Sequence, residues 1–141
     1  MALIAHDAKK TDMITFVKKR EERLSQFDLI ATGATGKTIS NCTSLMVGEM
    51  LPGPEGGDLQ IGGLVASGKI DFVIFLRDPL TAHPHDPDIS AILRVCDVHN
   101  IPIATNPKSA ELLLSGLISR AKVKKEYETR VLLPPLFSPR L

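Results

Sequence analysis

Five short stretches of this 141-residue sequence concentrate the side chains that could do chemistry. They are His6-Asp7-Ala8-Lys9-Lys10, Thr32-Gly33-Ala34-Thr35-Gly36, Gly53-Pro54-Glu55-Gly56-Gly57-Asp58, the loop from Asp78 through His83-Pro84-His85-Asp86-Pro87-Asp88, and Thr105-Asn106-Pro107. In the second, glycines free the backbone N–H groups of a helix start to face an anion. Thr32 and Thr35 add hydroxyl donors and Lys10 adds a point charge, a set that suits one isolated phosphate. The stretch is neither a Walker A loop nor a dinucleotide fingerprint. In the third, Gly56 and Gly57 let the backbone pass close to a ligand. Asp58 follows at an expected helix start, where the dipole favours the carboxylate anion. A proton-abstracting base needs that placement, and a plain helix N-cap would use it too. The histidine loop also has two readings. His83-x-His85 beside carboxylates is a spacing that can hold a metal, although no His or Cys pair at metal spacing on a second element joins it. Alternatively, His85 is an electrophile or acid whose ring Asp88 or Asp78 orients. Prolines 79, 84 and 87 stiffen this loop, and Pro84 is expected to turn His83 away from His85. His99 and Tyr127 stand apart and receive no role.

These stretches need a scaffold that gathers them. Apolar runs occur at Leu3-Ile4-Ala5, Leu29-Ile30-Ala31, Met46–Leu51, Phe72–Leu76 and Ile101-Pro102-Ile103-Ala104. Those near residues 3, 30, 74 and 103 are continuous rather than alternating, as in strands buried on both faces. Helical patterns fill the gaps at 12–26, 35–43, 58–67, 87–99 and 108–118. The fourth has Asp86 as expected N-cap, Pro87 at the first helical position, and Ile89, Ile92, Leu93 and Cys96 on one face. Alternating strands and helices imply a single-domain, three-layer α/β sandwich around a parallel sheet of about five strands. Each reactive stretch then falls just after a strand, at the edge where ligands bind in open α/β sheets. Strand-to-helix turns are polar in any such protein. The gathering of three of the four histidines with five aspartates at one end is what points to a site.

One α/β domain is expected over residues 1–119, followed by a basic tail over 120–141. From Leu117 onward six bases face Glu126 and Glu128, so the tail carries +4 and residues 1–116 carry −3. Pro134, Pro135 and Pro139 imply that the tail does not extend a regular helix. Val131-Leu132-Leu133 and Leu136-Phe137 need cover from the body or a neighbouring subunit. An apolar share of 43% argues for a folded domain, and the net charge of +1 argues against nucleic acid as the main partner. Cys42 and Cys96, far apart, read as two packed thiols of a reducing compartment. His6, Asp7 and Lys9 interrupt any secretory pattern, and the longest apolar stretch, Phe72–Leu76, is far short of a membrane span. A cytoplasmic protein without membrane contact is the expectation.

Taken in order, Ala5-His6-Asp7-Ala8-Lys9-Lys10, Ala31–Gly36, Gly53–Gln60, Asp78-Pro79-Leu80 and Pro84–Asp88 closely resemble the methylglyoxal synthase family, over roughly residues 3–115. The resemblance implies a flavodoxin-like subunit and a homohexamer. It implies a lyase that converts dihydroxyacetone phosphate to methylglyoxal and inorganic phosphate without metal or organic cofactor, and inhibition by phosphate. By position it puts the base on Asp58, the carbonyl-polarising histidine on His85 and supporting aspartates on Asp7, Asp78 and Asp88. Phosphate contacts fall on Lys10, Thr32, Thr35 and Gly53, with His6 in the same pocket. Two positions depart from the family's usual pattern. Ala34 stands where a threonine is usual and Pro52 where a serine is usual, so the cradle lacks two hydroxyls. The rival from another class is a non-catalytic regulatory module that binds a small effector, which would need the cradle but neither Asp58 nor His85.

Overall fold

The computed structural model describes the backbone of residues 1–132 and the side chains through residue 126. Five strands form one sheet: β1 (Ala2–Ala5), β2 (Leu29–Ala31), β3 (Val47–Glu49), β4 (Val73–Leu76) and β5 (Ile103–Ala104). Their order is β3-β2-β1-β4-β5, and every neighbouring pair is parallel. The helices are α1 (Lys10–Lys19), α2 (Glu21–Leu24), α3 (Gly33–Cys42), α4 (Gly57–Ala66), α5 (Asp86–Val98) and α6 (Pro107–Leu132).

The continuous apolar runs explain the layering. Successive side chains on a strand point to opposite faces. In β1 and β4, Leu3, Ala5, Ile74 and Leu76 join a cluster with Met13, Phe16 and Val17 of α1, Ile39 of α3 and Leu114 of α6. Ala2, Ile4, Val73 and Phe75 pack the other way, with Ile61 and Val65 of α4 and Ile89, Ile92 and Cys96 of α5. Both faces are thus covered, and each fully buried large side chain contributes about 1.5–3 kcal/mol. The result is the expected three-layer, flavodoxin-like sandwich. The chain steps outward from β1 through β2 to β3, then returns to the far side of β1 as β4. The crevice at that reversal, beyond the carboxyl ends of β1 and β4, is where such sheets bind ligands.

Several local expectations need correction. The helix expected over 12–26 breaks at Arg20, which leaves helical geometry (φ −125°, ψ 21°). Its guanidinium lies over the Phe16 ring and pairs with Glu111 of α6 at 2.7 Å. The third strand is shorter than Met46–Leu51, because Met46 is 92% exposed and outside the sheet. The helix expected from Thr35 opens two residues earlier, at Gly33. Cys42 is exposed rather than packed, at the far end of α3, whereas Cys96 is buried. The residues after Ser119 do continue a helix: α6 runs unbroken to Leu132. Residues 119–126 contain no Gly or Pro and are rich in Ala, Lys, Arg and Glu, all compatible with helix. The prolines that can stop the helix come only at 134 and beyond. The expected docking of Val131-Leu132-Leu133 and Leu136-Phe137 rests on side chains that lie outside the described ones. None of the helices, among the described residues, is long and apolar enough to cross a membrane.

Candidate active site

The carboxyl edge of the sheet holds a cavity of about 600 Å³ whose walls include His6, Asp7, Lys10, Thr32, Gly53, Asp58, Asp78, His83 and His85. A more open groove of about 690 Å³ lies at the opposite end, between Glu21, Phe27, Ser44 and Met46, and contains none of the predicted residues.

Asp58 is the most unusual group in the cavity. It is the second residue of α4, 1% exposed, and neither carboxylate oxygen accepts a hydrogen bond. It is not a cap: that position belongs to Gly56, in the left-handed region at φ +106°. The sequence led us to expect a helix dipole that keeps Asp58 readily ionised. Burial instead pushes its carboxyl above the usual range. His85 opposes that shift, Asp88 adds to it, and Lys10 weakly opposes it. Taking the carboxylate out of water outweighs a dipole to which it makes no hydrogen bond.

His85 Nε2 stands 3.6 Å from Asp58 Oδ2. Glycine at position 53 keeps the space beside this pair free of side chain. A Cβ added at Gly53 would lie 3.1 Å from His85 Nε2 and 3.5 Å from Asp58 Oδ1. At Gly57 it would lie 1.9 Å from the Leu51 carbonyl oxygen, an impossible contact, so only glycine lets the loop close onto α4. The Gln60 side chain steadies the same loop by accepting the Leu51 N–H at 2.7 Å.

The residues expected to cradle an anion come from the start of α1, the end of β2 and the start of α3. Thr32 and Thr35 are buried at the start of α3, their hydroxyl oxygens 3.4 Å apart. Lys10 Nζ donates to the Ala5 carbonyl and, at 2.8 Å, to Thr35 Oγ1. An ammonium has three donors, so one remains for a ligand. Burial lowers the pKa of Lys10, while Asp7 and Asp58 oppose that shift. Ala34 and Pro52 also line the cavity, where the usual hydroxyls are absent.

The supporting aspartates separate. Asp7 lines the cavity and is exposed. The Asp78 carboxylate turns back on its own loop, where Thr81 and the Leu80 N–H hold it below the usual carboxylate range. The backbone N–H of Asp78 donates to His6 Nδ1 at 2.8 Å. Asp88 acts on Asp58 through its charge. His85 Nδ1 is buried without a partner, so neither Asp78 nor Asp88 orients that ring by a hydrogen bond, contrary to expectation. The expected N-cap role of Asp86 also fails. Asp86 is already helical, His85 occupies the cap position, and Asp86 Oδ2 accepts the His83 N–H at 3.1 Å.

His83 needs the largest correction. Its side chain is not turned away: the ring stacks on His6 with centroids 3.9 Å apart and stands edge-on to His85 at 5.6 Å. Sequence reasoning missed His83 and Asp86 as a pair. Their i, i+3 spacing at a helix start was the available signal. Among the described residues, no group of three His, Cys, Asp or Glu side chains has metal-binding geometry.

A family profile described as an MGS-like domain matches residues 12–105. Methylglyoxal synthase of Carboxydothermus hydrogenoformans is 62% identical over 117 residues, covering 83% of this chain and 97% of that protein. The chain belongs to the methylglyoxal synthase family. A methylglyoxal synthase of Clostridium botulinum is 59% identical, covering 81% of this chain and 96% of that protein. The crystal structure of methylglyoxal synthase from Elizabethkingia anophelis superposes with a TM-score of 0.76 at 45% identity, covering 81% of this chain and 75% of that one. The MGS-like match spans residues 12–105, so it takes in β2 to β5 and the cavity walls from Thr32 to His85, but neither β1 with His6, Asp7 and Lys10 nor α6.

Proposed function

We propose that this chain is a lyase that converts dihydroxyacetone phosphate to methylglyoxal and inorganic phosphate. The observation that carries the reading is the Asp58 carboxylate, buried and unpartnered beside His85 Nε2 in a cavity that also holds a cationic cradle. A module that only senses a small effector needs the cradle but gains nothing from a buried, unsatisfied carboxylate.

In this mechanism Asp58 takes a proton from the hydroxymethyl carbon beside the ketone. Its raised pKa strengthens it as a base, and a positioned base contributes about 10²–10⁴-fold. The carbon's electron pair moves to form the enediolate, and His85 donates to the ketone oxygen as charge gathers there. The enediolate then expels phosphate from the other side of the carbonyl. The resulting enol takes a proton back on carbon to give methylglyoxal. Lys10, Thr32, Thr35 and the Gly53 backbone hold the phosphoryl group, and His6 lines the same wall. Holding the C–O bond to phosphate out of the enediolate plane favours elimination over isomerisation.

The test is a coupled assay for methylglyoxal from dihydroxyacetone phosphate, repeated with inorganic phosphate. Turnover is expected, with phosphate competing against substrate because one cradle serves both. Absence of methylglyoxal sinks the reading. Kinetics indifferent to tens of millimolar phosphate would remove the cradle assignment.

The chain acts in the cytoplasm as a homohexamer. The resemblance supports this, as does the split between a −3 body and a +4 tail, which lets copies attract one another. Sedimentation of the full chain should give six times the 15.3 kDa subunit mass, and a monomer would reject it.

A further inference from the structure

We propose that His83 is a positioning residue: its ring roofs His6 and fixes that imidazole as a neutral hydrogen-bond donor in the cavity wall, while Asp86 anchors His83. The part played in turnover rests on the lyase reading above. The arrangement itself rests on geometry.

His6 is 6% exposed, with Phe75 edge-on at 5.2 Å and the His83 ring stacked on it at 3.9 Å, tilted by 20°. Nδ1 accepts the Asp78 N–H, so a neutral ring carries its proton on Nε2. Nε2 is buried and has no partner within the protein, which leaves an uncommitted donor in a cavity wall. To become a cation, His6 would have to protonate Nδ1 and break that backbone contact. Its pKa is lowered to about 4, by burial first and then by the neighbouring His83 and His85. Asp78 opposes the shift and Arg77 adds to it.

His83 contributes to both leading causes. Its ring covers one face of His6, and its charge, when present, repels a proton there. It is held on its loop by its backbone N–H to Asp86 Oδ2, with Nδ1 3.7 Å from Asp86 Oδ1. The other ionisable groups facing this cluster are His85, edge-on to both rings, and Asp58 beside His85. Neither covers the face of His6 that His83 occupies, so no other group replaces the roof.

The experiment uses full-length wild type, His83→Ala and His83→Phe, with imidazole ¹⁵N NMR titration and steady-state kinetics. In wild type, His6 should remain the Nε2–H tautomer until well below pH 5. In His83→Ala its midpoint should move up toward the ordinary value of about 6.5, and kcat/KM should fall about 5- to 10-fold, the scale of one misplaced hydrogen bond. His83→Phe keeps the stacked roof without a titrating group. It should hold the His6 midpoint low and restore kcat/KM to within about threefold of wild type. A His6 midpoint unmoved by His83→Ala overturns the proposal, as does a His83→Phe variant that folds but behaves like His83→Ala. The NMR arm needs no turnover. If wild type makes no methylglyoxal, the lyase reading fails while the His6 titration still decides whether His83 governs that ring.

Discussion

Asp58→Asn should lose about 10²–10⁴-fold or more in kcat and at the same time melt at a higher temperature than wild type at pH 7. The loss follows because an amide cannot accept the proton. The gain follows from the burial of both carboxylate oxygens without a partner. The folded-state pKa lies above the unfolded value of 3.8, so the native protein binds this proton more tightly than the unfolded chain does. The protonated form is therefore the stabilising one. Its contribution is fully present below the unfolded pKa and is lost as pH rises through the folded pKa. Asparagine is uncharged at every pH. Its advantage in Tm should grow from pH 4 toward pH 7 and close again on the acid side. Calorimetry against pH checks this. A variant less stable than wild type at pH 7, or one keeping more than about a tenth of its turnover, rules out a strained buried base at this position.

His85→Gln should lower kcat by about 10²–10³-fold while KM changes far less. The contact it removes strengthens only as charge reaches the ketone oxygen. Glutamine keeps a donor but has a longer, more rotatable stem than the ring held edge-on to His6 and His83. A second consequence separates this role from simple binding. His85 opposes the upward shift of Asp58. Without it the base titrates at higher pH, so the acid limb of kcat/KM should move upward. A rise in KM with kcat unchanged would make His85 a binding group, and an unmoved acid limb would break the link to Asp58.

The sheet was legible because β1 and β4 are continuous apolar runs in which even and odd residues both meet a core. The cavity was legible because polar turns follow β1 to β4, although the expected fifth stretch, Thr105-Asn106-Pro107, does not line it. Harder to read were distances between groups far apart in sequence. Nothing local shows that the Asp78 backbone, 72 residues away, occupies His6 Nδ1. Nor does Pro84 reveal by itself which way His83 swings, since the stacking partner comes from β1's end. The upward shift of the Asp58 pKa was missed for a related reason. A helix start is visible in sequence, but the depth at which it is buried is not. The end of α6 was misplaced because prolines that stop a helix act locally, and these lie well beyond Ser119.

The helix α3 begins at the cradle with Thr32 as its cap and ends at Cys42, ten residues or about 15 Å away. The chain's two sulfhydryls therefore differ completely in reach: Cys96 is sealed in the core and Cys42 is exposed at the end opposite the cavity mouth. A maleimide or iodoacetamide reagent would find one position per chain. A subunit tethered to a bead or an electrode through that sulfur would stand with its opening toward the liquid, and a dye placed there would report on the molecule without obstructing what enters it.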